Sequence, residues 1–343
     1  MEMNASIEGF AFLGDDLSLR PVQIEIADGI IRSIEEVRNP QKRWILPALF
    51  NAHTHIGDTV AMDLPVKGDL ESIVSPPDGL KHRILRATER DTLVSAMHAT
   101  IGFMEKTGCA GFADFREGGV EGVGALREAA NGMATEPLIF GREGGELTSD
   151  GFGISSVRDL QNLESDIETA RRAGRMIAIH AGERDFEDID GALAYNPDLL
   201  IHCTHARRKD LRRCADEGIP IAICPRSNWI LKVTRSPDHP PVQEMIDLGC
   251  KVFLGTDNAM FVQPDLWREM AFLSEITTLS ARTILEMGIA GSTLTKDPYW
   301  IEEGKRASII ELNPERSNLI HSRDPVRTVI SRGGPCHLDR ILF

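Results

Sequence analysis

Two histidines separated by a single residue are the first feature of this chain that could do chemistry. His53 and His55 lie in the segment Asn-Ala-His-Thr-His, directly after an apolar run at 44–50. On an extended chain, side chains at positions i and i+2 point to the same side, so both imidazoles can reach one ion. Two hydrogen-bonded histidines on a surface turn would have the same spacing. The pair therefore marks a candidate metal site that needs further ligands.

Further ionisable residues stand at the ends of other apolar runs. His180 and His202 each end such a run, and Asp257 ends a third. Glu183 follows His180 by three residues, which would place a carboxylate beside a metal-held water as a proton shuttle. Each has a structural alternative, because a glutamate can cap a helix, an aspartate can form a turn and a histidine can brace a loop. Each of these residues alone is weak evidence for a metal-dependent site, and only the whole set is informative.

The pattern of apolar runs predicts the elements that would position this set. Most runs are apolar on both faces, as in parallel strands covered by helices. Segments with apolar residues every three or four positions separate them, such as the stretch from Leu80 to Met104, after which Gly108 predicts a helix end. The runs lie at 44–50, 109–115, 137–141, 175–180, 199–203, 221–225 and 251–257, with a further strand expected near 150–155.

Strands that alternate with helices indicate an α/β fold, and seven or eight of them in about 250 residues predict a (β/α)8 barrel. An open doubly wound sheet is the structural alternative. It is disfavoured because no G-x-G-x-x-G segment follows a strand and no Walker motif occurs. In a barrel, the candidate residues would all converge on the face formed by the carboxyl ends of the strands, where active sites are built.

The two ends of the chain have a different pattern of apolar and polar residues from the middle. Val22, Ile24 and Ile26 alternate with polar residues before Asp28-Gly29, a dipeptide typical of a hairpin turn. The C-terminal segments Ala-Ser-Ile-Ile-Glu-Leu and Pro-Val-Arg-Thr-Val-Ile-Ser-Arg-Gly-Gly suggest strands as well. We therefore expect a small composite β domain from residues 1–45 and 304–343, and a barrel domain from residues 46–303.

Composition excludes several classes of function. The 343 residues are 26% charged and 42% apolar, as in an ordinary globular protein, and 52 acidic against 38 basic residues give a net charge of −14. That charge disfavours nucleic acid and anionic membrane as partners. No apolar run approaches the roughly 20 residues of a membrane span. The six cysteines form no C-x-x-C pair and the N-terminal segment lacks a leader pattern, so we expect a cytoplasmic protein.

Taken together, the motifs resemble those of the amidohydrolase superfamily, metal-dependent hydrolases built on distorted (β/α)8 (TIM) barrels. The segment LPALFNAHTHIGDT resembles the first-strand motif of that superfamily, and His-Ala-Gly-Glu at 180–183 is similar to the fifth-strand motif of adenosine deaminase and its relatives. LLIHCTH, CPRSN at 224–228 and GTDN at 255–258 resemble the sixth-, seventh- and eighth-strand motifs of purine, pyrimidine and triazine aminohydrolases. The resemblance covers nearly the whole chain, including a small β-sandwich layer formed from both termini.

Carried across position by position, the resemblance implies a mononuclear metal site with general acid/base chemistry beside it. Glu183 would act as the general acid/base, and His202 would steer the attacking water together with Asp257. His205 is the second candidate for the role of His202. The implied metal ligands are His53, His55, His180 and Asp257.

The number of metal ions follows from an absence in the sequence. Binuclear members of the superfamily hold two metals with a carboxylated lysine after the fourth strand, and no lysine occurs between Lys106 and Lys209. We therefore expect one divalent ion per chain, with Zn²⁺ favoured and Fe²⁺ suited to the same ligands. A bridging glutamate, Glu143 or Glu146, is the less favoured route to a second ion.

The resemblance implies an aminohydrolase that replaces an exocyclic amine on a purine, pyrimidine, pterin or related nitrogen heterocycle and releases ammonia. Hydrolysis of a cyclic amide, as in imidazolonepropionase-like members, and dechlorination of a triazine-like ring are the enzymatic alternatives. An inactive barrel that binds a metal or a nucleoside is the alternative of another class. Because superfamily members often dimerise, a homo-oligomer is also expected.

Substrate recognition is the least determined part of the sequence. Arg116 and Glu117 follow the second strand and are candidates for contact with substrate, although an ion pair or a helix cap would also explain them. Asn228 in CPRSN is a third candidate and could instead brace its loop. The Gly- and Pro-rich connection at 57–79 has the length of a lid over the site, or of a surface excursion.

Overall fold

Two β-sheets organise the chain in the computed structural model, which describes residues 4–64, 70–74, 78–158 and 162–343. Part of the 57–79 connection, considered above as a lid, therefore lies outside the described residues, at 65–69 and 75–77. Among the described residues, no helix combines the length and the apolar character needed to cross a bilayer.

The N-terminal segment forms the hairpin that its alternating pattern predicts. Asp28 and Gly29 both have positive φ, at 53° and 73°, and they join two antiparallel strands. Ile24 and Ile26 are buried on one face of the sheet. The strands of this segment are β1 (Ala5–Leu13), β2 (Ser18–Ala27), β3 (Ile30–Glu36) and β4 (Trp44–Pro47).

Nine parallel strands form the barrel sheet, in the spatial order β12-β11-β10-β9-β8-β7-β6-β5-β13. Because β12 and β13 are two residues apart, their positions at opposite ends of this order close the ring, with β13 paired to β5. The (β/α)8 prediction is confirmed, including the fourth strand near 150–155. The strands are β5 (Leu49–His55), β6 (Cys109–Arg116), β7 (Glu136–Gly141), β8 (Gly151–Ile154), β9 (Met176–Ala181), β10 (Leu199–His202), β11 (Ile221–Ile223), β12 (Val252–Leu254) and β13 (Asp257–Asn258).

Helices cover the outer face of this ring, which leaves strands such as β6 buried on both faces. The periodic stretch from Leu80 to Met104 forms two helices rather than one, because the chain turns at Thr88 and Glu89. The helices are α1 (Leu70–Val74), α2 (Leu80–Ala87), α3 (Arg90–Lys106), α4 (Gly119–Ala130), α5 (Leu163–Arg172), α6 (Ile189–Ala194), α7 (Arg208–Glu217), α8 (Pro225–Ile230), α9 (Val242–Asp247), α10 (Leu266–Ile276), α11 (Ala281–Ile289) and α12 (Pro325–Arg332).

The apolar run at 44–50 divides between the two sheets. Its first half is β4, which pairs with β1 through Phe10 and Trp44, and its second half begins β5. Between them, the Ala48 amide donates to the carbonyl of Ser308 over 2.8 Å. The run therefore is not a single barrel strand, and its composition hides the division because both halves are fully buried.

The terminal layer is present as one six-stranded sheet. Strand β14 (Ile309–Leu312) pairs antiparallel with β4, and β15 (Leu338–Leu342) lies outside it, which gives the order β15-β14-β4-β1-β2-β3. The segment Pro-Val-Arg-Thr-Val-Ile-Ser-Arg is helix α12 and not the strand that its β-branched residues suggest. Asp324 caps the helix by accepting from the Arg327 amide, and Pro325 occupies its first turn, so local start signals outweigh strand propensity here.

Candidate active site

The carboxyl ends of the barrel strands bring the candidate metal ligands together. His53 and His55 come from β5 and His180 from β9, and their ligand atoms lie within 4.8 Å of one another. His202, at the end of β10, and Asp257, at the start of β13, form an equally tight group with His53. One cluster at the mouth of the barrel therefore contains all five side chains, although strands far apart in sequence supply them.

The distances within the cluster match side chains that converge on one ion. Asp257 Oδ1 lies 3.3 Å from His53 Nε2 and 3.7 Å from His55 Nε2. The ring centroid of His53 is 4.9 Å from that of His55 and 4.8 Å from that of His180. Three imidazoles and one carboxylate form a donor set typical of zinc and of related divalent metals.

The chemistry of these donors fits a bound cation. His53 is completely buried, yet neither of its ring nitrogens has a hydrogen-bond partner among the described residues. Burial lowers the pKa of His53 to about 4 and holds those of His55 and His180 well below the usual value, so all three imidazoles are neutral at pH 7 and free to coordinate. Burial would raise the pKa of Asp257, but its contacts with His53 and with the neighbouring imidazoles hold it well below the usual range.

Hydrogen-bond acceptors behind the cluster orient two of its imidazoles. The Nδ1 atom of His55 lies 3.0 Å from both the Phe115 carbonyl and Glu117 Oε1, and the Nδ1 atom of His180 lies 2.9 Å from the carbonyl of Ile154. With Nδ1 used in this way, Nε2 of each ring is left to face the cluster. Contacts of this type fix the tautomer of a metal-binding histidine and raise its basicity.

Glu183 and His202 form a second functional pair beside the cluster. His202 Nε2 lies 3.8 Å from Glu183 Oε1, and both residues line one cleft together with Asp257. Burial raises the pKa of Glu183. A carboxyl group with a raised pKa retains its proton closer to neutral pH, which suits a group that both gives and takes protons.

Backbone strain is concentrated at two of these residues. His202 has φ of 74° and Asp257 has φ of 62°, which are uncommon values for residues other than glycine. The surrounding structure holds both, because β13 pairs Asp257 with Thr54 and the amide after His202 donates to the carbonyl of Ala181 over 2.9 Å. Strain retained in this way is typical of functional sites.

The segment CPRSN supports Asp257 from α8. The Ser227 hydroxyl donates to Asp257 Oδ2 over 2.6 Å. Asn228 is buried, its Nδ2 atom donates to the hydroxyl of Thr204, and it does not line the cleft. The geometry at Asn228 therefore corresponds to the bracing alternative, whereas sequence reasoning passed over Ser227 as a partner of Asp257.

Arg116 and Glu117 lie behind His55 and do not line the cleft. Arg116 is 1% exposed and pairs with Asp114 Oδ1 at 3.3 Å and with Glu117 Oε2 at 2.6 Å. Lys81 Nζ lies 2.9 Å from Glu117 Oε1. The structure thus places both residues in the ion pair considered above as their alternative, where they position His55.

Breaking this buried ion pair gives a stability prediction. Glu117→Gln removes the carboxylate that Lys81 and Arg116 share and leaves Asp58 as the partner of Lys81 and Asp114 as that of Arg116. The free energy of unfolding is therefore expected to fall by about 2 kcal/mol. Urea unfolding followed by circular dichroism measures the change. The matched control is Glu121→Gln, on the exposed side of α4, for which the change should stay within about 0.5 kcal/mol. Equal stability of the two variants would contradict a structural role for Glu117.

Close packing behind His53 gives a prediction about metal affinity. A Cβ atom at Gly255 would lie 2.7 Å from His53 Cβ and 2.8 Å from His53 N, so Gly255→Ala must displace the histidine. Affinity for zinc, measured by competition with a chromogenic chelator, is expected to fall roughly tenfold or more. Gly124→Ala is the control, because nothing lies within 4 Å of its added Cβ. Unchanged affinity in Gly255→Ala would show that His53 does not bind the metal.

Several cleft residues were not among the sequence candidates: Lys81, Arg142, Ser155 and Asn258. Arg142 and Ser155 directly follow β7 and β8, so the same search for polar residues after apolar runs would have found them. Lys81 has no such signal because it lies in a helix.

The less favoured site residues predicted from the sequence lie outside the cluster of candidate metal ligands. His205 does not line the cleft and stacks near His239, with ring centroids 5.7 Å apart. Glu143 and Glu146 accept hydrogen bonds from the Gly118 and Gly144 amides. Neither glutamate belongs to a group of metal-ligating side chains among the residues that the structure describes.

Comparison with other sequences finds relatives of this chain, and one of them aligns along nearly its whole length. Residues 148–311 match the family model described as adenosine deaminase. A protein of Methanothermobacter thermautotrophicus named putative aminohydrolase is 34% identical, over 97% of this chain and 95% of that protein. An adenine deaminase of Mesorhizobium japonicum is 32% identical over 48% of this chain and 54% of that protein.

Solved structures bear out the fold. The E. coli guanine deaminase structure superposes with a TM-score of 0.72 at 14% identity, over 99% of this chain and 97% of that chain. At this identity the match concerns the fold alone, whereas the sequence match to the Methanothermobacter protein named putative aminohydrolase reaches the level of a common family. The chain therefore belongs to the aminohydrolases of the amidohydrolase superfamily, hydrolases that act on carbon–nitrogen bonds.

Proposed function

We propose that this protein is a metal-dependent deaminase that replaces an exocyclic amine on a nitrogen heterocycle with oxygen and releases ammonia. One observation carries the proposal. The cluster of three neutral imidazoles and the Asp257 carboxylate lies in the same cleft as Glu183, a carboxyl group whose pKa is raised. The adenine deaminase relative makes a 6-aminopurine the first substrate to test.

The proposed ligands of a single divalent ion are His53, His55, His180 and Asp257. Zinc is the ion we favour, and iron(II) would suit the same donors. When bound, such an ion supplies Lewis acidity and lowers the pKa of a coordinated water towards neutral. The absence of any lysine between Lys106 and Lys209 supports a site for one ion rather than two.

Side chains of the cleft then carry out the proton transfers. Asp257, anionic at neutral pH, accepts a proton from the attacking water, and His202, in the same tight group of side chains, orients that water. Glu183 donates its proton to the ring nitrogen beside the attacked carbon. It then takes the remaining proton from the attacking oxygen and passes it to the leaving amine, and the proton held by Asp257 restores the protonated form of Glu183. A carbon–oxygen bond forms, the carbon–nitrogen bond breaks, and water plus the amino heterocycle give the oxo heterocycle plus ammonia.

Ammonia release by the zinc-loaded protein tests this proposal. The panel contains adenine, adenosine, guanine, cytosine, pterin and an aminotriazine, together with a chlorotriazine and an imidazolone for the two alternative reactions. Ammonia is measured by a coupled dehydrogenase assay, and products are identified by mass spectrometry. We expect ammonia from at least one aminated ring, with none above background in Glu183→Gln. A ring-opened product or released chloride would establish the cyclic amide or dechlorination chemistry instead. Binding of metal and nucleoside without any turnover would establish an inactive barrel.

A further inference from the structure

Arg142 is a buried cation of the cleft without a carboxylate partner among the residues that the structure describes. It follows β7 directly, lines the cleft and is only 7% exposed. Within the described part of the chain, its Nε and Nη2 atoms have no hydrogen-bond acceptor, and no carboxylate is in ion-pair contact with its guanidinium. Buried arginines are normally paired, so an unpaired one at a binding cleft indicates a partner that arrives with the ligand.

Other cations of the same cleft contrast with Arg142. Lys81 Nζ lies 3.2 Å from Asp58 Oδ2 and 2.9 Å from Glu117 Oε1, so two carboxylates offset its charge. Arg158 is paired with Asp185 through two hydrogen bonds. The charges of Lys81 and Arg158 are already balanced within the protein, and Arg184 of the same cleft has interactions of its own. Among the described cations of the cleft, Arg142 is therefore the one whose charge a ligand would balance.

The surroundings of Arg142 suit an oxygen anion bound close to the cluster of candidate metal ligands. The guanidinium carbon lies 5.9 Å from the ring centroid of Phe115, and that ring is 4.8 Å from the ring of His180. Strand β7 pairs with β8, and Ser155, which directly follows β8, lines the same cleft as Arg142. Guanidinium and hydroxyl groups that line one cleft are common donors to carboxylate and phosphate oxygens.

We infer that the substrate is an anionic amino heterocycle, whose carboxylate or phosphate group binds Arg142 while the amine-bearing carbon faces Glu183. This inference rests on the proposed deaminase function and deepens it by naming the substrate class. Guanidinium binds carboxylate and phosphate through the same geometry, so the two sources of the anion are separated by experiment.

Matched pairs of ligands that differ only in the anionic group provide the test. The pairs are adenosine with AMP, adenosine with adenosine-5′-carboxylate, guanosine with GMP, and pterin with pterin-6-carboxylate. Dissociation constants are measured by calorimetry on the zinc-loaded Glu183→Gln variant, so that binding is read without turnover. In at least one pair the anionic member is expected to bind about 10- to 100-fold more tightly than its neutral partner, the range of a charge-assisted hydrogen bond. The pair that responds identifies carboxylate or phosphate.

The role of Arg142 is tested by its removal in the same background. In Arg142→Met the preference for the anionic ligand is expected to shrink to within about threefold, whereas Arg142→Lys should keep part of it. Arg158→Met is the matched control within the cleft and should change the preference by less than about threefold, because Asp185 already balances that charge. If Arg142→Met does not fold, competition on the wild-type protein replaces it, since inorganic phosphate should displace the preferred anionic ligand and leave a neutral ligand bound.

The outcomes separate this inference from the proposed function. Equal affinity for both members of every pair, or an equal loss in Arg158→Met and Arg142→Met, would overturn the anionic substrate class and leave the deaminase proposal intact. Ligands that bind to Glu183→Gln with the expected preference but release no ammonia with the wild-type protein would overturn the deaminase proposal and leave the anion site intact.

Discussion

Glu183→Gln is expected to reduce kcat/KM for deamination by roughly 10²- to 10⁴-fold while zinc content stays at the wild-type level. An amide has nearly the same shape as the carboxyl group but cannot hold and release a proton at the Oε atom that faces His202. Since Glu183 is not among the proposed metal ligands, the metal site should remain assembled. Ammonia release measures the rate, and inductively coupled plasma mass spectrometry measures the zinc.

Glu187→Gln is the matched control for this loss. Glu187 follows the same strand, but its side chain is 73% exposed and lies outside the cleft lining. Its replacement should change kcat/KM by no more than about twofold, as is usual for an exposed surface position. A near wild-type rate in Glu183→Gln would remove Glu183 from the mechanism. Loss of zinc together with activity would instead make it a ligand.

His180→Asn is expected to abolish both zinc retention and activity. The substitution removes one of three imidazoles whose ligand atoms lie within 4.8 Å of one another. The loss of zinc affinity should exceed the roughly 10- to 100-fold that changes behind a metal site produce. Bound metal stabilises the folded state by mass action, so a chelator should lower the Tm of the wild-type protein and leave that of His180→Asn unchanged.

His205→Asn controls for the loss of a histidine near the cleft. His205 follows β10 by three residues, yet the structure places it beside His239 and outside the cluster. The variant should retain zinc, and kcat/KM should stay within about threefold of the wild type. If His205→Asn loses metal and His180→Asn keeps it, the assignment of the cluster is wrong.

The fold could be predicted in outline because its signals are local. Apolar runs of strand length, separated by helical periodicity, predicted the barrel and the place of its fourth strand, observed at Gly151–Ile154. The failures have local causes as well. The β-branched residues around Val329 suggested a strand, whereas Asp324 and Pro325 begin a helix there. The run at 44–50 is apolar throughout, so its composition could not show that β4 and β5 belong to different sheets.

The membership of the candidate cluster could also be predicted from the sequence. A residue at the carboxyl end of a barrel strand must lie at the mouth of the barrel, whatever the details of packing. The strand-end positions of His53, His180 and His202 were therefore enough to place them on one face. The distances between these side chains could not be predicted from the sequence. They depend on the curvature of the whole sheet and on strained backbone at His202 and Asp257.

The sequence by itself determined the order of the strands, the types of the residues at their ends and the absence of a bridging lysine. These features depend only on neighbours along the chain. Tertiary structure alone decided that Arg116 pairs behind His55 while Arg142, at the end of the next strand, lines the cleft with no carboxylate partner in the described part of the chain. Both are arginines directly at the end of an apolar run. What separates them is the carboxylates that the fold brings beside one guanidinium and not the other, and that depends on residues distant in sequence.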